Sequence, residues 1–253
     1  PAHGAERLRE CPAAAHLLAC DAAQPAEDRA LLAAMQRALP PLRGIWHAAG
    51  VLADRLVPGQ DASTLRRVYA PKVHGAWGLQ LACAAAPLDA CVLFSSIASL
   101  IGGGGQSNYG VANGCLASLG VCRRQRGQAA SSVQWGPWAD VGMAASSSVN
   151  ARIQASGMGL IGLEQGATAF RAALLPGVPA VMSLVVLSWG KFLGLMPTVP
   201  PLLEGYASRK AAPAATGTCA CSARSAAAAR PRSRWASTTG CTSRCSAGGS
   251  GGA

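Results

Sequence analysis

A parallel β-sheet covered by helices, an α/β fold, is the architecture this sequence predicts. Short apolar runs alternate with longer segments of helical periodicity. The runs are apolar throughout rather than every second residue, as strands buried on both faces are. Glycine, proline and small residues punctuate the junctions. At 253 residues the chain suits one large or two modest domains. With 50% hydrophobic residues and only 13% charged, it is not disordered throughout.

The elements follow in order. Residues 16–21 (HLLACD) read as a buried strand. Pro25 opens an amphipathic helix that places Leu31, Leu32, Met35 and Leu39 on one side. Residues 44–48 (GIWHA) form a second short strand and end in the small turn Ala48-Ala49-Gly50. Asp61 caps a helix carrying Leu65, Val68 and Tyr69, which resumes with Val73, Trp77 and Leu81 after an interruption at Pro71. A third strand covers 89–95 (DACVLFS), a loop holds the run Gly102 to Gly105, and a helix occupies about 107–126. Residues 131–135 and 180–187 are further strands, separated by a loop and a helix over about 164–175. No repeat of 20–50 residues is apparent.

Charge and cysteine usage narrow the function classes. The net charge is +11, but seven of the 22 Lys/Arg lie beyond residue 206, where there is no Asp or Glu, so the body is close to balanced. Residues 207–253 form a low-complexity Ala/Ser/Arg/Gly tail, read either as a solvated, disordered segment or as a polyanion contact through Arg230, Arg232 and Arg234. The ten cysteines are too few for a disulfide scaffold; those of the body sit among apolar neighbours, which fits a reducing, intracellular compartment. Cys219-x-Cys221 and Cys241-x3-Cys245 have poor spacing for a zinc ribbon, and no metal site is expected. The most apolar stretch, residues 178–189, is shorter than the roughly 20 residues a spanning helix needs. No basic-then-apolar leader follows Pro1.

Ligands of open α/β sheets bind at the carboxyl ends of the strands. Those ends hold Asp21, the turn from Ala48 to Gly50, Ser95 and Ser96, and the turn Gly136-Pro137-Trp138. Turns of this kind also simply terminate strands.

The segments HAAG-VLAD (47–54), APKVHGAW (70–77), VLFSSIASLIGGGGQSNYGVANGCLASL (92–119) and WGPWADVGMA (135–144) together resemble the ketoreductase domain of modular polyketide synthases. Those domains belong to the short-chain dehydrogenase/reductase superfamily, whose fold is Rossmann-like. The resemblance extends more weakly over about 1–206, where SWGKF (188–192) and PLLEGY (201–206) are similar to the end of that domain. It implies reduction of a β-ketoacyl thioester, borne on the phosphopantetheine of an acyl carrier protein, to the β-hydroxyacyl product with NADPH. Other synthase domains are the implied partners. Tyr109 and Asn113 have the subfamily's Tyr-x3-Asn spacing, Ser96 precedes Tyr109 by thirteen residues, and Lys72 stands on the helix upstream. By that resemblance Tyr109 is the general acid, Ser96 a second donor to the carbonyl oxygen, and Lys72 the cation that lowers the phenol pKa. Asn113 lies one turn after Tyr109 and positions Lys72 or a relay water. Taken singly, each also has an ordinary reading as turn residue, aromatic, cap or solvated charge.

Further assignments follow from the same resemblance. Asp21 contacts the adenine, Ala48, Ala49 and Gly50 run along the cofactor ribose, and Gly136 and Pro137 face the nicotinamide. Trp138 and Met143 lead into a substrate-side lid, although Trp135 and Trp138 are read equally well as core. Asp54 ends Leu52-Ala53-Asp54 where the family has Leu-Asp-Asp, and Ile101 stands where a tryptophan marks the opposite stereochemistry. Together they favour the B-type outcome, a D-configured β-hydroxyl. His47 and His74 need no catalytic role, and no Gly-x-Ser-x-Gly elbow supports a hydrolase.

The family's glycine-rich phosphate turn and its first two strands have no counterpart in these residues, and Gly102 to Gly105 sit on the substrate side instead. The sequence is therefore expected to enter at the helix before the third strand, leaving residues 1–40 poorly anchored and 44–190 as the ordered sheet. The alternative to a working reductase is a truncated remnant or scaffold that keeps the motifs and binds no cofactor.

Overall fold

In the computed structural model, residues 14–139, 147–211 and 219–222 are described, all within one unit, Pro1–Ala223. Four strands make a parallel sheet: β1 (Gly44–His47), β2 (Ala90–Ser96), β3 (Ser131–Trp135) and, after a further short strand β4 (Met158–Gly159), β5 (Val181–Leu187). Their order across the sheet is β1-β2-β3-β5. β4 pairs antiparallel with the outer edge of β5, Met158 opposite Leu187. The same edge takes β6 (Cys219–Ser222), also antiparallel. β6 falls in the segment expected to be structureless; the other tail residues beyond Ala211, like Met143, lie outside the described residues.

The helices α1 (Pro25–Ala38), α2 (Ala62–Tyr69), α3 (Gly75–Ala82), α4 (Ala98–Ile101), α5 (Ser107–Gln125), α6 (Ser147–Ala155), α7 (Leu163–Ala173) and α8 (Trp189–Gly194) connect and cover the strands, followed by a 3₁₀ segment at Pro201–Ala211. Pro25 starts α1, and Asp61 caps α2: its carboxylate accepts the Thr64 backbone N–H at 2.7 Å while Thr64 Oγ1 accepts the Asp61 N–H. Pro71 does not stop the next helix. Without an N–H it cannot make the regular bond, and the chain passes from α2 to α3 through a π-helical turn, Ala70–His74. The core under one face joins Val92, Val133, Trp135, Ile161 and Leu184; Leu93, Leu116, Leu119 and Ala76 pack a second cluster against α5.

The expected strand over 16–21 is not formed. Its backbone groups have no neighbouring strand, because β1 pairs only with β2 among the described residues, and an unpaired strand has no ladder to hold it. Leu17 and Leu18 are 76% and 56% exposed rather than buried. The segment that follows is better anchored than expected: α1 docks on α3 through buried Leu32 and Asp28.

Candidate active site

The carboxyl ends of β1 and β2 and the first turns of α5 bring the four motif residues together. Ser96 is the last residue of β2. Its Oγ accepts the Ala98 N–H at 3.2 Å, and its side chain also meets the Tyr109 hydroxyl. Tyr109 lies in the first turn of α5 and is buried. Asn113, one turn later and fully buried, donates from Nδ2 to the Tyr109 carbonyl at 2.8 Å, and Ser95 Oγ donates to the Asn113 carbonyl at 3.0 Å. Asn113 Oδ1 is buried without a partner among the described residues.

Lys72 arrives on the π-helical turn and is 3% exposed. Its stem passes over Gly50, where a Cβ would lie 2.8 Å from Lys72 Cε. Its ammonium donates to the Phe94 carbonyl at 3.1 Å and stands 5.3 Å from the centroid of the Tyr109 ring. Burial pulls the Lys72 pKa from 10.5 down to about 8. The expected lowering of the phenol is not seen: burial holds Tyr109 above its ordinary value, and the neighbouring Asp54 charge adds to this, against opposing hydrogen bonds from Ser96 and Asn113.

The remaining predicted residues fall as follows. Ala48 to Gly50 follow β1 directly. Asp21 is exposed, in a turn rather than at a strand end, with its Oδ1 accepting the Ala23 N–H at 3.0 Å. That turn still lies beside β1, since a Cβ on Gly75 would meet both Ala22 O and His47 Cε1. Gly136 donates to the Leu184 carbonyl at 2.7 Å, and Pro137 O accepts from Ile161 N at 2.7 Å, so this turn is pinned at the end of β3. Trp138 takes the core alternative: its ring packs 5.1 Å from that of Trp135 and fills the space beside Gly166. Asp54 is exposed and accepts from Gln106 Nε2 at 3.0 Å, whereas Ile101 packs against the cluster of Phe192, Leu193 and Leu203.

Sequence reasoning missed Asn108. Buried at 2%, it donates from Nδ2 to Ala53 O at 2.9 Å and accepts the Tyr109 N–H on Oδ1 at 2.7 Å, tying the 52–54 loop to the start of α5. Its place directly before the tyrosine was the available signal. An open groove of about 740 Å³ beside α5, bordered by Arg55, Leu56, Gly103, Gln106 and Val111, holds none of the four motif residues.

The model of the KR domain family matches residues 2–140. The chain belongs to that family. Polyketide synthase GfsB of Streptomyces halstedii is 37% identical over 204 residues, covering 79% of this chain and 4% of the relative. Among solved structures, an A-type ketoreductase from a modular polyketide synthase superposes with a TM-score of 0.74 at 32% identity, over 83% of this chain and 44% of that one. A short-chain dehydrogenase/reductase from Burkholderia xenovorans, 16% identical with a TM-score of 0.60 over 71% of this chain, shares the fold. The KR chain thus spans a small part of that synthase and under half of the matched ketoreductase structure, and its Rossmann-like sheet is that of the superfamily.

Proposed function

We propose that this KR domain reduces a β-ketoacyl thioester, carried by an acyl carrier protein, to the β-hydroxyacyl thioester within an intracellular polyketide synthase. The observation that carries the reading is the convergence of Lys72, Ser96, Tyr109 and Asn113 at the carboxyl ends of β1 and β2.

NADPH fits the nicotinamide end of this site. A lysine is held beside the tyrosine, and Asn113 carries a buried oxygen without a partner among the described residues. When bound, the cofactor supplies a hydride to the carbonyl carbon. The chain's own residues handle the oxygen. As the C–H bond forms, the carbonyl π pair moves to oxygen, which takes the phenolic proton of Tyr109 while Ser96 donates a hydrogen bond. A phenol whose pKa is raised by burial keeps its proton at neutral pH, the state a general acid needs. Lys72, charged below about pH 8, stabilises the phenolate left behind, and Asn113 positions the water that returns its proton.

In the domain as it stands in its whole synthase, Tyr109→Phe removes the proton donor and should lower turnover of a β-keto thioester by more than about tenfold. Near-normal consumption of NADPH by that variant sinks the assignment.

A second reading, a remnant that retains the motifs without binding cofactor, has one observation in its favour. Among the described residues nothing pairs with the outer edge of β1, the side where the phosphate-binding strands of the superfamily sheet belong.

A further inference from the structure

We propose that His47 is a positioning residue for Lys72, holding through the lysine's own carbonyl the widened helical turn that delivers its ammonium to the site. The proposal deepens the reading above and rests on Lys72 belonging to that site.

His47 is the last residue of β1 and 3% exposed. Its Nε2 lies 3.1 Å from the Lys72 carbonyl oxygen. The Gly75 N–H that closes the π-helical turn is shared between the Ala70 and Lys72 carbonyls, and the imidazole is a further partner of the latter. Pro71 is the reason the turn needs outside support: with no N–H to donate, the regular ladder is broken at the residue before the lysine. The start of α3 reaches the imidazole only because residue 75 is glycine, where a Cβ would stand 3.3 Å from His47 Cε1 and 2.9 Å from Ala22 O.

The end of β1 therefore grips Lys72 twice. His47 holds its backbone, and three residues later Gly50 lets its stem lie flat against the strand end. A carbonyl only accepts, so the geometry requires the proton on Nε2 and leaves Nδ1 bare. Burial lowers the imidazole's pKa and the Lys72 charge acts in the same direction, against the hydrogen bonds to the Lys72 and Pro71 carbonyls. A histidine that merely filled core would be indifferent to its tautomer and replaceable by phenylalanine. One that positions Lys72 is replaceable only by a side chain with a donor at the same reach.

The test uses the 253-residue chain labelled with ¹³Cε-lysine. Lys72, Lys191 and Lys210 are its lysines, and the signal lost in Lys72→Arg identifies the first. In the native chain Lys72, its pKa pulled down to about 8 by burial, should titrate well below an exposed lysine. His47→Phe should release it, so that it titrates back toward 10.5 as water reaches the ammonium. His47→Gln, which keeps an N–H donor at similar reach, should hold it near 8. A folded Phe variant in which Lys72 still titrates near 8, or a Gln variant that behaves like Phe, overturns the proposal. Nitrogen-15 spectra of the native chain test it without a variant, and decide the matter if His47→Phe does not fold: the Nε2–H tautomer is required, and an Nδ1–H tautomer refutes it. None of these readouts depends on turnover, so loss of the reductase reading leaves them interpretable.

Discussion

Burying a lysine ammonium destabilises the fold, and Lys72→Met should show by how much. A pKa lowered from 10.5 to about 8 means that the folded state disfavours the charged form by about 3 kcal/mol near neutral pH. Between pH 8 and 10.5 the unfolded lysine still holds a proton that the folded one has released. The unfolded state then binds more protons, and stability rises with pH across that window. From pH 7 to 9.5, short of the tyrosine range, the rise amounts to about 2 kcal/mol. Methionine keeps most of the stem and removes the charge. At pH 7 the variant should gain stability, with about 1–2 kcal/mol of the gain offset by the lost bond to the Phe94 carbonyl. The slope is the cleaner quantity, because that lost bond shifts the whole curve without tilting it. Urea unfolding of both proteins at pH 7 and 9.5 measures it. Parallel curves, with the native chain rising no more than the variant, would refute the claim that this ammonium is held away from water.

The other predictions concern packing, product and cofactor. In Gly166→Ala the new methyl overlaps the Trp138 ring that fills this part of the core, and overpacking there should cost roughly 1–3 kcal/mol in denaturant unfolding; an unchanged midpoint would mean that Trp138 is not seated against α7. With Asp54 retained and Ile101 in place of tryptophan, chiral chromatography of the reduced thioester should show a D-configured β-hydroxyl, and a predominantly L-configured product overturns that assignment. NADPH fluorescence on titration with the 253-residue chain should show no saturation in the micromolar range, since β1 presents an unpaired edge among the described residues; saturable binding would show that another segment of the chain builds the phosphate site.

The strands β1, β2, β3 and β5 were legible because buried parallel strands announce themselves as unbroken apolar runs. The strand expected at 16–21 has the same composition and failed for a reason outside its own residues: pairing is a property of the neighbour. α4, with four residues, and β4, with two, are too short to carry a period at all. The candidate site divides along the same line. Tyr109 and Asn113 share a helical face by spacing alone, and Ser96 follows from ending a strand. What those residues touch depends on how the elements cross. Pro71 was legible as an interruption because a missing N–H is visible in sequence, whereas the π-helical form the interruption takes is not. For the same reason His47 looked idle: the group it bonds is a backbone carbonyl 25 residues away, which no side-chain pattern encodes. The part of the site that spacing could not reveal is the support around Lys72. That support keeps a charge where the fold alone would exclude it, an arrangement that costs stability and makes sense only if the ammonium has work to do beside Tyr109.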